Sequence, residues 1–182
     1  MVDISLHLLD LLENTKNANA TRVSVLIEDD PEEDTLRITV SDNGRGMSEQ
    51  ELKLAVDPFY SSSGKKTGLG LPMVIQAAEM AGGTVNIKSE VGRGTDVTVL
   101  FRRSHLDRQP MGDPAASIVA FLAGNPGIAT EFEYRGPKGR YRFDSASEMT
   151  DEGGKPLGHL AFLWSAEEKL REGLAKAGFR PD

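Results

Sequence analysis

The sequence predicts an α/β fold followed by a small α+β extension. Three observations carry this reading. Two pairs of alternating, β-branched segments, 22–27 with 36–41 and 84–89 with 96–101, read as antiparallel strands. Apolar residues at helical spacing occupy the intervals around them. A charged stretch punctuated by proline and glycine, 104–113, then separates residues 1–103 from residues 114–182.

Residues 3–18 suit a helix that Asp3 or Ser5 can cap. Ile4, Leu8, Leu11, Leu12, Thr15 and Ala18 form its apolar face. His7, Asp10, Asn14 and Asn17 fall on a second line, at i, i+3, i+7 and i+10. A solvated stripe is the plain account of such a line; four polar groups on an otherwise apolar helix also suit a site. The strands Arg22 to Ile27 and Leu36 to Ser41 follow, joined by the acidic turn DDPEED at 29–34. Ser48 with Glu51 makes a capping box for a helix reaching Val56. Residues 57–70, centred on Ser61-Ser62-Ser63-Gly64, read as a loop. Leu71 to Ala81 is a buried helix, stopped by Gly82-Gly83. Thr84 to Ser89 and Asp96 to Phe101 are two more strands. Beyond the linker come a helix (Ala115 to Ala123), a hairpin (Thr130 to Phe143, turning at Gly136-Pro137-Lys138-Gly139) and a final helix (Ala166 to Ala177). Phe162, Leu163 and Trp164 read as anchors of this tail, and His105 and His159 as exposed loop residues.

Composition excludes several classes. Hydrophobic content of 38% with 27% charged residues fits a packed domain rather than a disordered chain. A net charge of −7 disfavours nonspecific binding to nucleic acid or anionic lipid. With no cysteine, disulfides, thiolate metal sites and a cysteine nucleophile are excluded. No apolar run approaches the roughly 18 residues of a membrane span. The first helix, interrupted by Asp10 and Glu13, does not read as a signal peptide, so a cytoplasmic setting is expected.

The most informative segment is Asp42-Asn43-Gly44-Arg45-Gly46-Met47. A carboxylate fixed at the end of a strand can accept a hydrogen bond from the exocyclic amine of adenine. Gly44 and Gly46 let backbone approach a base with no Cβ in the way. A strand-to-helix turn built from Asp, Asn and Gly is the bland alternative. Thr67-Gly68-Leu69-Gly70-Leu71 runs directly into a helix, whose first N–H groups and positive dipole end suit phosphates. Lys65 and Lys66 add charge just before it. This is no Walker loop, because GxxxxGK[ST] is missing, and no dinucleotide fingerprint, because no strand leads into it. Magnesium takes oxygen ligands and retains waters, so the amide oxygen of Asn14 with phosphate oxygens would suffice. Asp10, one turn earlier, can orient or deprotonate a water attacking the γ-phosphate. Together these elements read as a pocket for ATP and a divalent cation.

These elements, in this order, resemble the GHKL superfamily of DNA gyrase, heat-shock chaperones, histidine kinases and mismatch-repair MutL proteins. DLLENTKNANATR (Asp10 to Arg22) is similar to the MutL-type N box; residues 57–101 look more like the catalytic domain of a sensor histidine kinase. The resemblance implies a Bergerat fold, a two-layer α/β sandwich with helices on one face of a mixed sheet. It makes Asn14 the metal ligand, Asp42 the adenine partner, and Gly44, Gly46 and Met47 the base-side loop. Lys65, Lys66, Thr67, Gly68, Leu69, Gly70 and Leu71 become the phosphate-side lid, with Gly68 and Gly70 as its hinges. Thr95 falls beside the adenine–carboxylate hydrogen bond, Asn17 lines the nucleotide site, and Asp10 is the catalytic carboxylate.

Three departures stand out. Hydrolytic members carry Glu where this chain has Asp10, and a shift on the order of 1 Å can cost about a hundredfold in rate. Kinase members often have Lys at the position of Asn17, and another at that of Ser63. The chain begins almost at the N box, so a phosphoacceptor helix pair is not expected. The resulting expectation is an ATP-binding regulatory switch or slow ATPase with a protein partner. Alternatives are a kinase acting in trans, an ATPase that forms a homodimer on ATP, and a degenerate interaction module.

Overall fold

Alternation along the strands decides which side of the sheet is buried. The computed structural model describes residues 3–57, 70–150 and 154–181. Six strands form one sheet: β1 (Arg22–Asp30), β2 (Thr35–Asp42), β3 (Thr84–Glu90), β4 (Gly94–Arg102), β5 (Ala129–Gly136) and β6 (Gly139–Asp144). Their order is β3-β4-β2-β1-β5-β6. Every neighbouring pair is antiparallel except β1 with β5, which is parallel, so the sheet is mixed. Register puts Val25, Val40, Val97 and Phe132 in one row and Ile27, Ile38, Val99 and Tyr134 in the next. All eight are buried.

Four helices pack buried residues onto that face: α1 (Ile4–Asn17), α3 (Gly70–Met80), α4 (Pro114–Gly124) and α5 (His159–Lys176). The short α2 (Glu49–Ala55) buries none of its residues. The opposite face carries charge: Glu28 pairs with Arg37 and Arg135, and Glu133 with Arg135 and Arg142. The architecture is therefore the α/β sandwich that the resemblance implied.

Residues 114–182 join the same sheet as residues 1–103. They contribute β5 and β6, and β5 is paired along β1 from Arg22–Ala129 to Glu28–Arg135. The linker holds the start of α1: Ile4 and Ser5 donate their N–H groups to the carbonyls of Pro110 and Met111, both at 2.9 Å. Ser117 of α4 donates to the Ser5 carbonyl at 2.7 Å. Parallel pairing between distant segments leaves no local trace in a sequence.

Two element ends also shift. β1 runs to Asp30 rather than Ile27, although Glu28, Asp29 and Asp30 are poor strand formers. Cations placed opposite them offset that weakness, among them Arg103, whose Nε lies 2.6 Å from Asp29 Oδ1. α5 starts at His159, two turns before Ala166, which places His159 in a helix and leaves Trp164 78% exposed. Phe162 and Leu163 are buried, so these two anchor the tail and Trp164 does not.

The capping box of α2 forms as the sequence spacing predicts. Glu51 Oε2 accepts the Ser48 N–H at 2.8 Å, and Ser48 Oγ accepts the Glu51 N–H at 3.3 Å. The Ser48 N–H, then Arg45, hold the Glu51 carboxyl down to about 2. A carboxyl depressed in the folded state stabilises it above the unfolded value of 4.5, and that contribution fades as pH falls towards about 2. Carboxyl-detected NMR should therefore give Glu51 a midpoint near about 2. An unshifted midpoint would refute the box.

Candidate functional site

Asn43 assembles the site. Its Oδ1 accepts the N–H groups of Thr21 and Arg22, and its Nδ2 donates to Thr21 Oγ1, all at 2.9 Å. The Arg45 N–H donates to the Ala18 carbonyl at 2.9 Å. The loop after β2 is thereby strapped to the end of α1. A cavity of about 410 Å3 opens between them, within the usual range of small-molecule sites. Asn14 and Asn17 of α1 line it, as do Asp42 of β2 and Thr95 of β4. Gly46 and Met47 of the loop and Gly70 and Leu71 of α3 also line it. Leu11, Val40, Leu54 and Val97 make an apolar wall.

Asp42 is half-buried, and its Oδ1 accepts the Gly44 N–H at 2.7 Å. Burial pushes its carboxyl above the ordinary range; the Gly44 and Thr95 N–H groups oppose this, and the nearby Asp96 adds to the rise. A carboxylate offers about four lone-pair sites, so capacity remains for a donor in the cavity. Beside it, Thr95 Oγ1 and Ser89 Oγ lie 2.8 Å apart, and Ser89 Oγ accepts the Met47 N–H at 2.8 Å.

The two loop glycines answer to protein packing. A Cβ on Gly44 would sit 2.7 Å from Ala18 Cβ. Gly46 has φ +64°, and a Cβ there would come within 1.9 Å of the Glu90 carbonyl oxygen. Gly46→Ala should therefore cost roughly 3 kcal/mol or more. A melting scan should show Tm lowered by about 6–12 °C; an unchanged Tm would show that the loop is not held in this conformation.

The start of α3 rests on α1. A Cβ on Gly70 would lie 3.4 Å from Asp10 Cβ and 3.6 Å from Asn14 Nδ2. The positive end of this helix thus faces the line Asp10–Asn14. Asp10 does not line the cavity itself but borders this junction. Desolvation raises its carboxyl pKa, His7 opposes the rise and Glu13 reinforces it. His7 leaves the polar line: it is 3% exposed, with Nε2 at 2.9 Å from Gln109 Oε1 and a buried Nδ1 that has no partner among the described residues. Lys65, Lys66, Thr67, Gly68 and Leu69 lie outside the described residues, as do Phe59, Tyr60 and Ser61-Ser62-Ser63-Gly64.

Sequence reasoning missed Asn43 as the strap, and Ser89. Asn43 reads as a turn residue. Ser89 stands opposite Thr95 on β3, and that Ser–Thr cross-strand pairing was the available signal. Among the described residues no group of three or more His, Asp or Glu converges as a metal cage.

Residues 2–105 match the family described as histidine kinase-, DNA gyrase B- and HSP90-like ATPases. The chain belongs to this ATPase family. It is 47% identical to sporulation kinase D of Bacillus subtilis over 62 residues, which is 34% of this chain and 12% of that one. With sporulation kinase C of the same organism it shares 43% over 64 residues, 35% and 15% of the two chains. With the sensor histidine kinase ZraS of Escherichia coli it shares 30% over 77 residues, 42% and 17%. Each match covers less than a fifth of the relative's length. The crystal structure of an N-terminal domain of a DNA repair protein superposes with TM-score 0.55 at 15% identity, over 91% of this chain and 57% of that one. At that identity the likeness shows the fold alone. As a family member, the chain carries a histidine-kinase-like ATP-binding domain. No helix among the described residues is long and apolar enough to cross a membrane.

Proposed function

We propose that the chain is a magnesium-dependent ATP-binding regulatory switch with slow hydrolysis, working in the cytoplasm on a protein partner. The observation that carries this is the shared cavity of Asn14 and Asp42, closed on the phosphate side by the start of α3. Asp42 accepts the amine of adenine, while the apolar wall of Val40 and Val97 takes the ring. Asn14 would hold the cation through its amide oxygen, and a bound Mg2+ would neutralise phosphate charge. Asp10 orients a water or takes its proton; its raised pKa suits that role, and its short side chain keeps the step slow.

A second reading, phosphoryl transfer to a separate protein, draws on the 47% identity to a sporulation kinase. The decisive measurement is binding of a fluorescent ATP analogue with and without Mg2+. Saturable, magnesium-strengthened binding is expected; none at millimolar nucleotide would end the proposal. Asp10→Asn should retain binding and lower phosphate release by roughly a hundredfold. Label appearing on a co-purified protein instead would favour the transferase.

A further inference from the structure

Strand register places Ser89 of β3, Thr95 of β4 and Asp42 of β2 in one row near the end of the sheet. All three are half-buried. Asp42 and Thr95 line the cavity of about 410 Å3; Ser89 stands behind Thr95 and does not. Its hydroxyl nevertheless meets three groups. Ser89 Oγ accepts the Met47 N–H at 2.8 Å, donates to the Gly94 carbonyl at 3.2 Å and lies 2.8 Å from Thr95 Oγ1.

A hydroxyl has one proton and two lone pairs. Ser89 keeps all three contacts bonded in one arrangement. One lone pair takes the Met47 N–H, the proton goes to the Gly94 carbonyl, and the second lone pair takes the Thr95 proton. Were Ser89 to donate to Thr95 instead, the carbonyl of the buried Gly94 would lose that bond, which is costly away from water. With its proton committed to Ser89, Thr95 offers the cavity lone pairs only. Ionised Asp42 is likewise an acceptor without a proton. These two neighbours therefore present acceptors to the cavity and no donor.

We propose that Ser89 is a positioning residue that sets base specificity: by holding the Thr95 proton away from the cavity, it makes the site prefer a 6-aminopurine nucleotide to a 6-oxopurine one. This rests on the adenine reading of Asp42 given above. An exocyclic amine brings N–H donors to the two acceptors, whereas a carbonyl oxygen in its place meets them with lone pairs alone. A polar group left facing its own kind is what separates such close analogues. Without the Ser89 hydroxyl, the Thr95 proton is free to turn into the cavity and donate to that carbonyl oxygen.

Isothermal titration of the full chain with ATP and with ITP, which carries oxygen where ATP carries the amine, tests this in one Mg2+ buffer. Wild type should bind ATP more tightly than ITP. Ser89→Ala should lower that preference by roughly tenfold, and Ser89→Thr should restore it. A Ser89 that merely holds Met47 would weaken both nucleotides alike when replaced; an unchanged ratio in Ser89→Ala would therefore overturn the proposal. In a Thr95→Val background, Ser89→Ala should no longer move the ratio, because no hydroxyl remains to turn. The same drop there would also overturn it. If Ser89→Ala does not fold, Ser89→Cys is read by the same criterion, since a thiol is a weak acceptor. Wild type binding neither nucleotide would sink the ATP reading of the cavity and this proposal with it, whereas an unchanged ratio with ATP bound removes only the role of Ser89.

Discussion

Asp42→Asn is expected to lower ATP affinity by roughly a hundredfold. The carboxylate is an acceptor only, and one oxygen already takes the Gly44 N–H at 2.7 Å. After the substitution, the amide oxygen of the new side chain can keep that bond, which turns its NH2 group towards the adenine amine. Two donors then face each other in a half-buried site, at a cost of about 3 kcal/mol, and that energy corresponds to roughly a hundredfold in affinity. The fold should survive, because asparagine has the same shape as aspartate and the strap through Asn43 is untouched. Affinity measured by fluorescence, with circular dichroism as the control, separates the two effects. Wild-type affinity in a folded Asp42→Asn protein would remove adenine from this end of the cavity. Acidification gives a second readout. Burial raises the Asp42 carboxyl pKa, so its proton returns at a higher pH than for an ordinary aspartate. Wild-type binding should weaken as pH falls through that raised value, and the Asp42→Asn variant should lack the step.

Phe132→Ala is expected to destabilise the whole chain by about 4 kcal/mol, lowering Tm by about 8–16 °C. Phe132 is 1% exposed on β5, paired with Val25 on one side and Phe143 on the other. It belongs to the same buried cluster as Leu8 of α1 and Val97 of β4. Removing its ring leaves a cavity in a core to which both segments contribute. Residues 1–103 and 114–182 should therefore unfold in one transition. Calorimetry showing two transitions, with only one moved by the substitution, would establish two independent folding units.

Local pattern carried much of this architecture. The apolar face of α1 is legible because Ile4, Leu8, Leu11, Leu12 and Thr15 recur at helical spacing, and all five are buried. The first four strands are legible because β-branched residues alternate, and the α2 cap because Ser48 and Glu51 are three apart. The order of motifs singled out the strand-end Asp42 and the helical Asn14, and these two line one cavity. These are short-range regularities, which the chain expresses before any tertiary contact forms.

Long-range contacts set the rest. The line of His7, Asp10, Asn14 and Asn17 looks uniform in sequence, yet Gln109, 102 residues away, draws His7 out of it and under the linker. Gly46 must be glycine because the Glu90 carbonyl stands where a Cβ would go, a neighbour that only the β3–β4 turn supplies. Likewise, β5 could sit beside the sheet or within it until β1 offered an unpaired edge. Backbone donors and acceptors along such an edge demand partners, and satisfying them drew the C-terminal third of the chain into the sheet that carries the cavity of Asn14 and Asp42.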